Sequence, residues 1–351
     1  MRKIYFFLPD YPKWLTGGYK YHTILFEYFK LRRESVFFFG KHKLSNFFEK
    51  SKLLKIVSGL YYYIKIPKNS VLIMSNASFL NFIIPVYLGR IWKDHYYFLI
   101  VHHLVQDEKK SVLRKKLEDD FIKKANTIIT VSNTTRKRLK DLNLNLKNIE
   151  VFTPGIDKVN STAKSKEDSS VIRLLYVGSI EKRKGLLYLI DAIKLITFKN
   201  IELNIVGEEL NSKDYYQMIL VKIKESGFKD KINLLGKITK EELNRLYNES
   251  YIFIFPSLWE GYGMVVAEAM THGLPVISSK IPSVEEIIDD GVNGLLVEVK
   301  NSDQIADSIN RIINDKSFYN TLSENARKKS FSFPSWEETS HNILQRIEQI
   351  T

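Results

Sequence analysis

Short apolar runs alternate with longer segments of helical spacing along the whole chain. The runs lie at residues 4–9, 36–39, 71–74, 96–101 and 127–131, and again at 174–177, 201–206, 232–236, 252–255, 275–278 and 294–297. Most are continuously apolar rather than alternating, which is typical of strands buried on both faces of a parallel sheet. The segments between them, including 19–31, 47–64, 79–91, 109–125, 133–142 and 186–196, favour helices. This alternation predicts an α/β protein with parallel, doubly wound sheets.

The chain of 351 residues is long enough for two domains with separate cores. Residues 161–170 contain Ser, Lys, Glu and Asp with almost no apolar residue, which predicts a linker. We therefore expect a Rossmann-like domain at 1–160, the linker at 161–170, a second Rossmann-like domain at 171–332, and a final helical segment at 333–351.

The stretch 257–276 carries the clearest chemistry. It follows a predicted buried strand, and Gly261 and Gly263 allow its backbone to approach a ligand closely. The helix that follows presents N–H groups to an anion. Glu260 and Glu268 add carboxylates that accept hydrogen bonds from hydroxyl groups. Phosphate and hydroxyl recognition side by side would suit a nucleotide-sugar.

The pattern Ser-x-x-Glu-Gly-x-Gly-x-x-x-x-Glu-Ala-Met-x-x-Gly-x-Pro-Val in this stretch resembles the nucleotide-sugar motif of glycosyltransferase family 4. The resemblance implies the GT-B fold, in which two Rossmann-like domains face across a cleft, and a C-terminal helix that returns to the first domain. It also implies retaining transfer of a hexosyl unit from a nucleotide-sugar to a glycan or lipid-linked acceptor, without a metal or other cofactor. In this family Glu268 would hold the ribose and Glu260 the donor sugar.

A glycine-bounded loop at 178–185 precedes the first helix of the second domain. Family members place cations in this loop for the donor diphosphate, and Lys184 fits that role. Many members carry Arg directly after the first glycine, where this chain has Ser179. Arg183 is the candidate replacement.

In the first half, Thr16-Gly17-Gly18 predicts a turn between the first strand and the first helix, and the family has an active-site loop here. His102 ends the fourth predicted strand and resembles the family histidine that lies near the transferred sugar. His103 stands where the family has Asp. We expect His22, in the first helix, to pack against the sheet rather than act in catalysis.

The predicted site residues follow from these motifs. The catalytic candidates are His102 and Glu260. The donor-binding candidates are Gly17, Gly18, Gly178, Arg183, Lys184, Gly261, Tyr262, Gly263, Met264, Val265 and Glu268. We expect the acidic cluster Glu118-Asp119-Asp120 to be a solvated helix face rather than a metal site, and Ser132 or Asn133 to cap the helix at 133–142.

Composition adds limits on partners and location. The chain has no cysteine, which excludes disulfides and thiolate metal sites and fits a reducing cytosol. No run of 18 or more apolar residues predicts a membrane span. Residues 1–160 hold 29 Lys and Arg against 13 Asp and Glu, a net of +16, so the remainder holds 53 − 29 = 24 against 40 − 13 = 27, a net of −3.

That asymmetry predicts a polyanionic partner for the first half. We favour an anionic membrane surface over nucleic acid, and a cytoplasmic protein at the inner face of the plasma membrane. A solvated basic surface is the alternative. Two further functions stay open at this point: a sugar-nucleotide epimerase or hydrolase on the same fold, and a non-enzymatic polyanion-binding protein.

Overall fold

The computed structural model describes residues 2–7, 17–33, 35–39, 64–76, 86, 94–104, 112–159, 171–198, 200–209 and 213–350. Apart from residues 64 and 86, the helices predicted at 47–64 and 79–91 lie outside these ranges, as does the predicted linker at 161–170. The chain forms two compact units. The first comprises Met1–Gly155 and Pro334–Thr351, and the second comprises Ile156–Phe333.

The first domain contains a six-stranded parallel sheet. Its strands are β1 (Ile4–Phe7), β2 (Val36–Phe39), β3 (Val71–Ser75), β4 (Tyr96–Val101), β5 (Thr127–Thr130) and β6 (Ile149–Val151), in the order β2-β1-β3-β4-β5-β6. Its described helices before the crossing to the second domain are α1 (Gly17–Arg32), α2 (Val112–Lys123) and α3 (Asn133–Asp141). The apolar runs lie in the middle of the sheet, where β1, β3 and β4 are almost wholly buried.

The second domain repeats this plan. Its strands are β7 (Ile172–Val177), β8 (Ile201–Val206), β9 (Ile232–Gly236), β10 (Ile252–Phe255), β11 (Val276–Ser279) and β12 (Leu295–Val297), in the order β12-β11-β10-β7-β8-β9. Its helices are α4 (Leu186–Leu195), α5 (Lys213–Glu225), α6 (Lys240–Glu249), α7 (Met264–Thr271), α8 (Pro282–Glu285), α9 (Ser302–Asn314) and α10 (Lys316–Ser330). Every strand pair is parallel. The α/β class predicted from the apolar runs is confirmed.

The order of strands places the reversal of winding between β7 and β10. The chain runs outward through β8 and β9, then returns to add β10 on the other side of β7. Ligands of open parallel sheets bind beyond the carboxyl ends of strands at such a switch point. The loops after β7 and β10 are the ones that carry the glycine loop and the Glu260 stretch.

The final helix, α11 (Trp336–Ile350), packs within the first domain. Thr339 donates a hydrogen bond to the Thr153 carbonyl, and the Arg346 guanidinium lies 2.6 Å from the Glu150 carboxylate. A Cβ on Gly155 would lie only 2.3 Å from the Trp336 Cα atom, so only glycine allows the two backbones to approach this closely.

Two details differ from the sequence predictions. Strand β6 was not predicted, because its three residues include Glu150 and are only half-buried, which leaves no apolar run. Gly17 and Gly18 form the first turn of α1 rather than a turn before it.

The capping prediction for α3 is confirmed for Ser132, whose hydroxyl accepts a hydrogen bond from the Thr135 N–H at 3.0 Å.

Candidate functional site

The Glu260 carboxylate lies in contact with two of the three cations of the glycine loop, Arg183 and Lys184. Its Oε1 atom is 2.7 Å from Lys184 Nζ and 2.7 Å from Arg183 Nη1. The other guanidinium nitrogen of Arg183 is 2.6 Å from Glu181 Oε1, and the Ser179 hydroxyl donates to that same oxygen at 2.7 Å. We call these five residues, Ser179, Glu181, Arg183, Lys184 and Glu260, the cation cluster.

Glycines bring the two loops of the cation cluster together. Gly185 has a left-handed φ of +67°, and a Cβ there would lie 2.0 Å from the Pro256 carbonyl oxygen. A Cβ on Gly207 would likewise meet the Gly178 carbonyl at 1.9 Å. The glycine loop therefore packs directly on the backbone at the ends of β8 and β10. This contact is what puts Lys184, which ends a short 3₁₀ turn, against Glu260.

The charges of the cluster are strongly coupled because its members are largely enclosed. Only 12% of the Lys184 side chain and 11% of the Glu260 side chain are exposed. Burial lowers the pKa of Lys184, and Glu260 opposes that shift. Burial favours the protonated form of Glu260, but Lys184 and Arg183 together outweigh it and lower the pKa of its carboxyl group. Glu260 is thus held as a carboxylate between two cations.

An aromatic wall borders the same cations. The Arg183 guanidinium carbon lies 4.7 Å from the centre of the Trp259 ring, and Lys184 Nζ lies 5.0 Å from the centre of the Phe255 ring. Cations over aromatic faces gain electrostatic stabilisation from the ring quadrupole. These contacts fix the two cations in place before any ligand arrives.

Helix α7 begins directly after the two glycines of this stretch. Gly263 is its N-cap with φ +103°, and no side chain caps the first turn. Glycine offers no side-chain acceptor, so the N–H groups at this end can be satisfied by an anion, which the helix dipole also favours. The Tyr262 side chain is buried, and its burial raises the pKa of the phenol. At Tyr262, a predicted site residue, the backbone is therefore the part that a ligand can contact. Met264 and Val265 are half-buried.

Glu268 projects from α7 beside the buried side chain of Tyr247. Burial raises the pKa of the Tyr247 phenol well above its usual value, and the nearby Glu268 carboxylate adds to the shift. Tyr247 stacks on His272, with ring centres 5.0 Å apart, and His272 Nδ1 lies 2.8 Å from Asn248 Oδ1. The phenol beside Glu268 therefore belongs to a packed pair of rings, Tyr247 and His272.

In the first domain, His102 lies at the carboxyl end of β4 and pairs with His22 of α1. Their Nε2 atoms are 3.0 Å apart, and their rings meet edge to face. Burial lowers the pKa of His22 to about 3. The pKa of His102 lies well below its ordinary value, mainly because the ring is buried and also because His22 and His103 lie nearby. Both imidazoles are neutral at physiological pH. A Cβ on Gly18 would lie 3.4 Å from the His102 ring, so α1 passes close to it.

A buried amide connects this strand end to an acidic residue. Asn76 donates to Glu118 Oε1 at 2.9 Å and to the His103 carbonyl, and its Oδ1 accepts from the His102 N–H at 3.4 Å. Glu118 is fully buried in α2. The expectation of a solvated face is therefore wrong for Glu118. Helical spacing turns it inward with Phe121 and Ile122, while Lys115 and Lys116 face outward.

Sequence reasoning missed Glu181, Trp259, Asn76 and Glu118, and it assigned His22 to packing only. Trp259 lies inside the motif at 257–276 but at a position that the pattern leaves unspecified, and the others lie outside that motif. The only hint of these residues in the sequence is the position of Glu181, between Ser179 and Arg183 in the glycine loop.

Among the described residues, no group of three or more His, Cys, Asp or Glu side chains could hold a metal ion. None of the described helices is both long and apolar enough to cross a bilayer.

The two parallel six-stranded sheets define an α/β protein, and in the second the loop before α4 brings Arg183 and Lys184 against Glu260. Residues 157–329 match the family model described as "Glycosyl transferases group 1". The second domain of this chain is therefore a group 1 glycosyl transferase domain.

Solved structures match over the whole chain. Sucrose-phosphate synthase from Thermosynechococcus elongatus gives a TM-score of 0.83 at 19% identity, covering 100% of this chain and 99% of that chain. HepE of Anabaena, in complex with UDP-glucose, gives 0.80 at 18% identity, covering 99% of this chain and 100% of that one. At such identities the likeness shows the fold alone, which is GT-B with two Rossmann-like domains.

Among curated proteins, lipopolysaccharide 1,2-N-acetylglucosaminetransferase of Salmonella typhimurium is 35% identical over 202 residues. The match covers 55% of this chain and 51% of that protein. The chain spans about half the length of the curated relatives it matches.

Proposed function

We propose that this protein is a retaining glycosyltransferase that moves a hexosyl unit from a nucleotide-sugar to a glycan or lipid-linked acceptor, in the synthesis of cell-surface polysaccharide or glycolipid. The observation that carries the proposal is the contact of Glu260 with both Lys184 and Arg183, at the N-terminal end of α7. The group 1 family match and the similarity to an N-acetylglucosaminetransferase support the same class of reaction.

The cation cluster suits a donor that brings its own negative charge. Arg183 and Lys184 are balanced by Glu181 and Glu260, so the formal charge of the cluster is zero. A diphosphate would compete with Glu260 for the two cations. We expect it to take at least part of their hydrogen bonding, together with the N–H groups of Gly263, Met264 and Val265. Glu260 would then turn toward the hydroxyl groups of the donor sugar.

This exchange links binding to chemistry. As the bond from the sugar to the diphosphate breaks, negative charge grows on the leaving oxygen. Arg183, Lys184 and the helix dipole would stabilise that charge without any metal, because they are already fixed by Trp259, Phe255 and the glycine backbone. Gly178, Gly261 and Gly263 leave room for the phosphates to approach the backbone. Glu268 would accept hydrogen bonds from the ribose hydroxyls.

In the first domain, the proposed site residues are Gly17 and Gly18 for donor binding and His102 for catalysis. The family resemblance implies that His102 lies near the transferred sugar. The basic surface of this domain is proposed to face a polyanionic partner. On α3, Lys137, Arg138 and Lys140 are exposed. An anionic leaflet at the inner face of the plasma membrane would bring a lipid-linked acceptor to a cytoplasmic enzyme.

The first test is a thermal-shift screen of nucleotide-sugars and nucleoside diphosphates. A ligand at about 100 times its Kd stabilises the folded state by about 2.7 kcal/mol, so the correct donor will raise Tm clearly. A Lys184→Ala variant should lose this shift, whereas Lys328→Ala, which removes only an exposed pair with Glu324, should keep it.

The second test follows the bound donor. Release of nucleoside diphosphate with free sugar, or with a glycosylated acceptor, supports a transferase, and the anomeric proton coupling of the product reports retention. Formation of an epimer of the donor sugar would instead favour a sugar-nucleotide epimerase. Absence of any donor-induced shift would contradict the proposed function.

A further inference from the structure

We infer that His22 is a positioning residue that fixes His102 as a neutral hydrogen-bond donor through its Nδ1 atom. The inference rests on the proposed function, since it concerns what His102 offers to a donor sugar. It concerns the first domain alone and begins with the 3.0 Å contact between the two Nε2 atoms.

A hydrogen bond between two neutral imidazoles requires one ring to donate and the other to accept. Each neutral ring carries a single proton, so the direction of this bond decides which nitrogen of each ring is protonated. The contact therefore fixes both tautomers at once.

The surroundings of His22 decide the direction. His22 is 3% exposed, and its Nδ1 atom is enclosed without a hydrogen-bond partner. If His22 accepted at Nε2, its proton would sit on Nδ1 as a buried, unpaired N–H group. Orphaned buried N–H groups are rarer in proteins than under-satisfied acceptors. His22 therefore donates from Nε2–H, and its bare Nδ1 faces the interior.

The consequence for His102 follows directly. Its Nε2 atom accepts from His22, so its proton lies on Nδ1. His102 is half-buried, and no described residue hydrogen-bonds to Nδ1. The N–H group at Nδ1 is therefore left for a ligand oxygen. With its only lone pair already occupied by His22, His102 is a donor to a sugar oxygen and not a general base.

The surrounding residues hold this arrangement in place. Tyr21 contacts both histidine rings edge to face, with ring centres 6.1 Å and 5.5 Å away, and its hydroxyl donates to the Phe152 carbonyl. Asn76 anchors the His102 backbone. The ring of His102 can therefore neither tilt away from His22 nor flip without breaking contacts on two sides.

The direct test is the tautomer of His102 in the ligand-free protein. Long-range proton–nitrogen correlation spectra of nitrogen-15-labelled protein at pH 7.5 distinguish protonation at Nδ1 from protonation at Nε2. The chain has seven histidines, and loss of one ring in a His102→Gln sample assigns the signal. We expect His102 protonated at Nδ1 and His22 at Nε2. His102 protonated at Nε2 would overturn the inference, whatever the activity of the protein.

Two substitutions test the positioning role. His22→Gln keeps an N–H donor near the same point, whereas His22→Leu removes it at similar size. We expect the Leu variant to show mixed His102 tautomers and a kcat lower by about tenfold, with a donor KM changed by less than about twofold. The Gln variant should keep most of the wild-type kcat.

The control is His95→Asn, a change at another buried histidine of the same domain, where Asn retains an acceptor for the Ser70 N–H. It should leave kcat unchanged. An unchanged kcat in His22→Leu would overturn the positioning role. If the wild-type protein neither releases nucleoside diphosphate nor transfers sugar, the proposed function fails, while the tautomer measurement still stands or falls separately.

Discussion

Lys184 Nζ and Glu260 Oε1 lie 2.7 Å apart, although 76 residues separate them in the sequence. The same carboxylate oxygen also meets Arg183. The predicted sugar-binding carboxylate is therefore paired with the two predicted phosphate-binding cations. Under the proposed function, donor binding would exchange Glu260 for the diphosphate as the partner of these cations, which leads to predictions that separate affinity from turnover.

Glu260→Gln should bind nucleoside diphosphate more tightly while turning over more slowly. Removing the carboxylate frees two enclosed cations for the phosphates, and a gain of about tenfold in affinity corresponds to about 1.4 kcal/mol. The kcat should fall, because the sugar loses its acceptor. Calorimetric titration and steady-state kinetics measure the two effects. Glu202→Gln, which removes the partner of Arg173 elsewhere in the domain, is the control. Weaker diphosphate binding in Glu260→Gln would contradict the exchange.

Arg183→Ala should lower kcat/KM by about tenfold or more, as expected for a lost charge-assisted contact to the diphosphate. Ser179 and Arg183 both hydrogen-bond Glu181, so an arginine at position 179 would start from the same carboxylate. Adding Ser179→Arg to Arg183→Ala should restore much of the loss. If Arg183→Ala has no effect, Arg183 does not replace the arginine that many relatives carry after the first glycine.

Glu268→Gln should raise the donor KM much more than it changes kcat. Ribose contacts are the same in the ground state and the transition state, so their loss weakens binding uniformly. The effect should be absent when the donor is replaced by inorganic diphosphate in a binding assay. Glu249→Gln, at an exposed position of α6, serves as the control. A wild-type KM in Glu268→Gln would remove Glu268 from the donor site.

The paired histidines predict an acid-sensitive first domain. In the unfolded chain histidine has a pKa of about 6.5, whereas in the fold the pKa of His22 is about 3. The contribution of neutral His22 to the free energy of unfolding is fully present above a pH of about 6.5, the pKa of the unfolded state. It is lost as the pH falls from about 6.5 toward about 3, because only the unfolded state then binds the proton. The slope is about 1.4 kcal/mol per pH unit for each such histidine. Urea unfolding of wild type and His22→Gln between pH 7.5 and 5 measures it. Parallel pH dependences in the two proteins would contradict the prediction.

Binding to anionic vesicles should depend on the exposed basic residues of α3. Each basic residue near an anionic surface contributes about 1 kcal/mol, and the attraction weakens as salt shortens the screening length. Replacing Lys137, Arg138 and Lys140 by Gln should reduce co-sedimentation with vesicles containing phosphatidylserine. The matched triple change at Lys222, Lys224 and Lys229 of the second domain should not. Binding that ignores lipid charge, or that is stronger to nucleic acid, would contradict the membrane proposal.

The sequence by itself determined the class of fold and the location of the donor motif. Continuous apolar runs such as 252–255 favour a strand buried on both faces, and their alternation with segments of helical spacing favours parallel connections. Glycines likewise mark the loops of the site: Gly185 allows close approach to the Pro256 backbone, and Gly263 takes a left-handed φ of +103° before α7. Such local requirements are written in neighbouring residues, and these predictions were confirmed for the strands and helices that carry them.

Only the tertiary structure decided which distant side chains meet. The contacts of Lys184 with Glu260, of His22 with His102, and of Asn76 with Glu118 each join residues more than 40 positions apart. The sheet order brings their strand ends or helix faces together, and no local pattern encodes that distance. For the same reason Glu118 looked solvated among lysines, yet α2 turns it inward. Burial then sets the charge states, since desolvation depends on everything packed around a group and not on its neighbours in sequence.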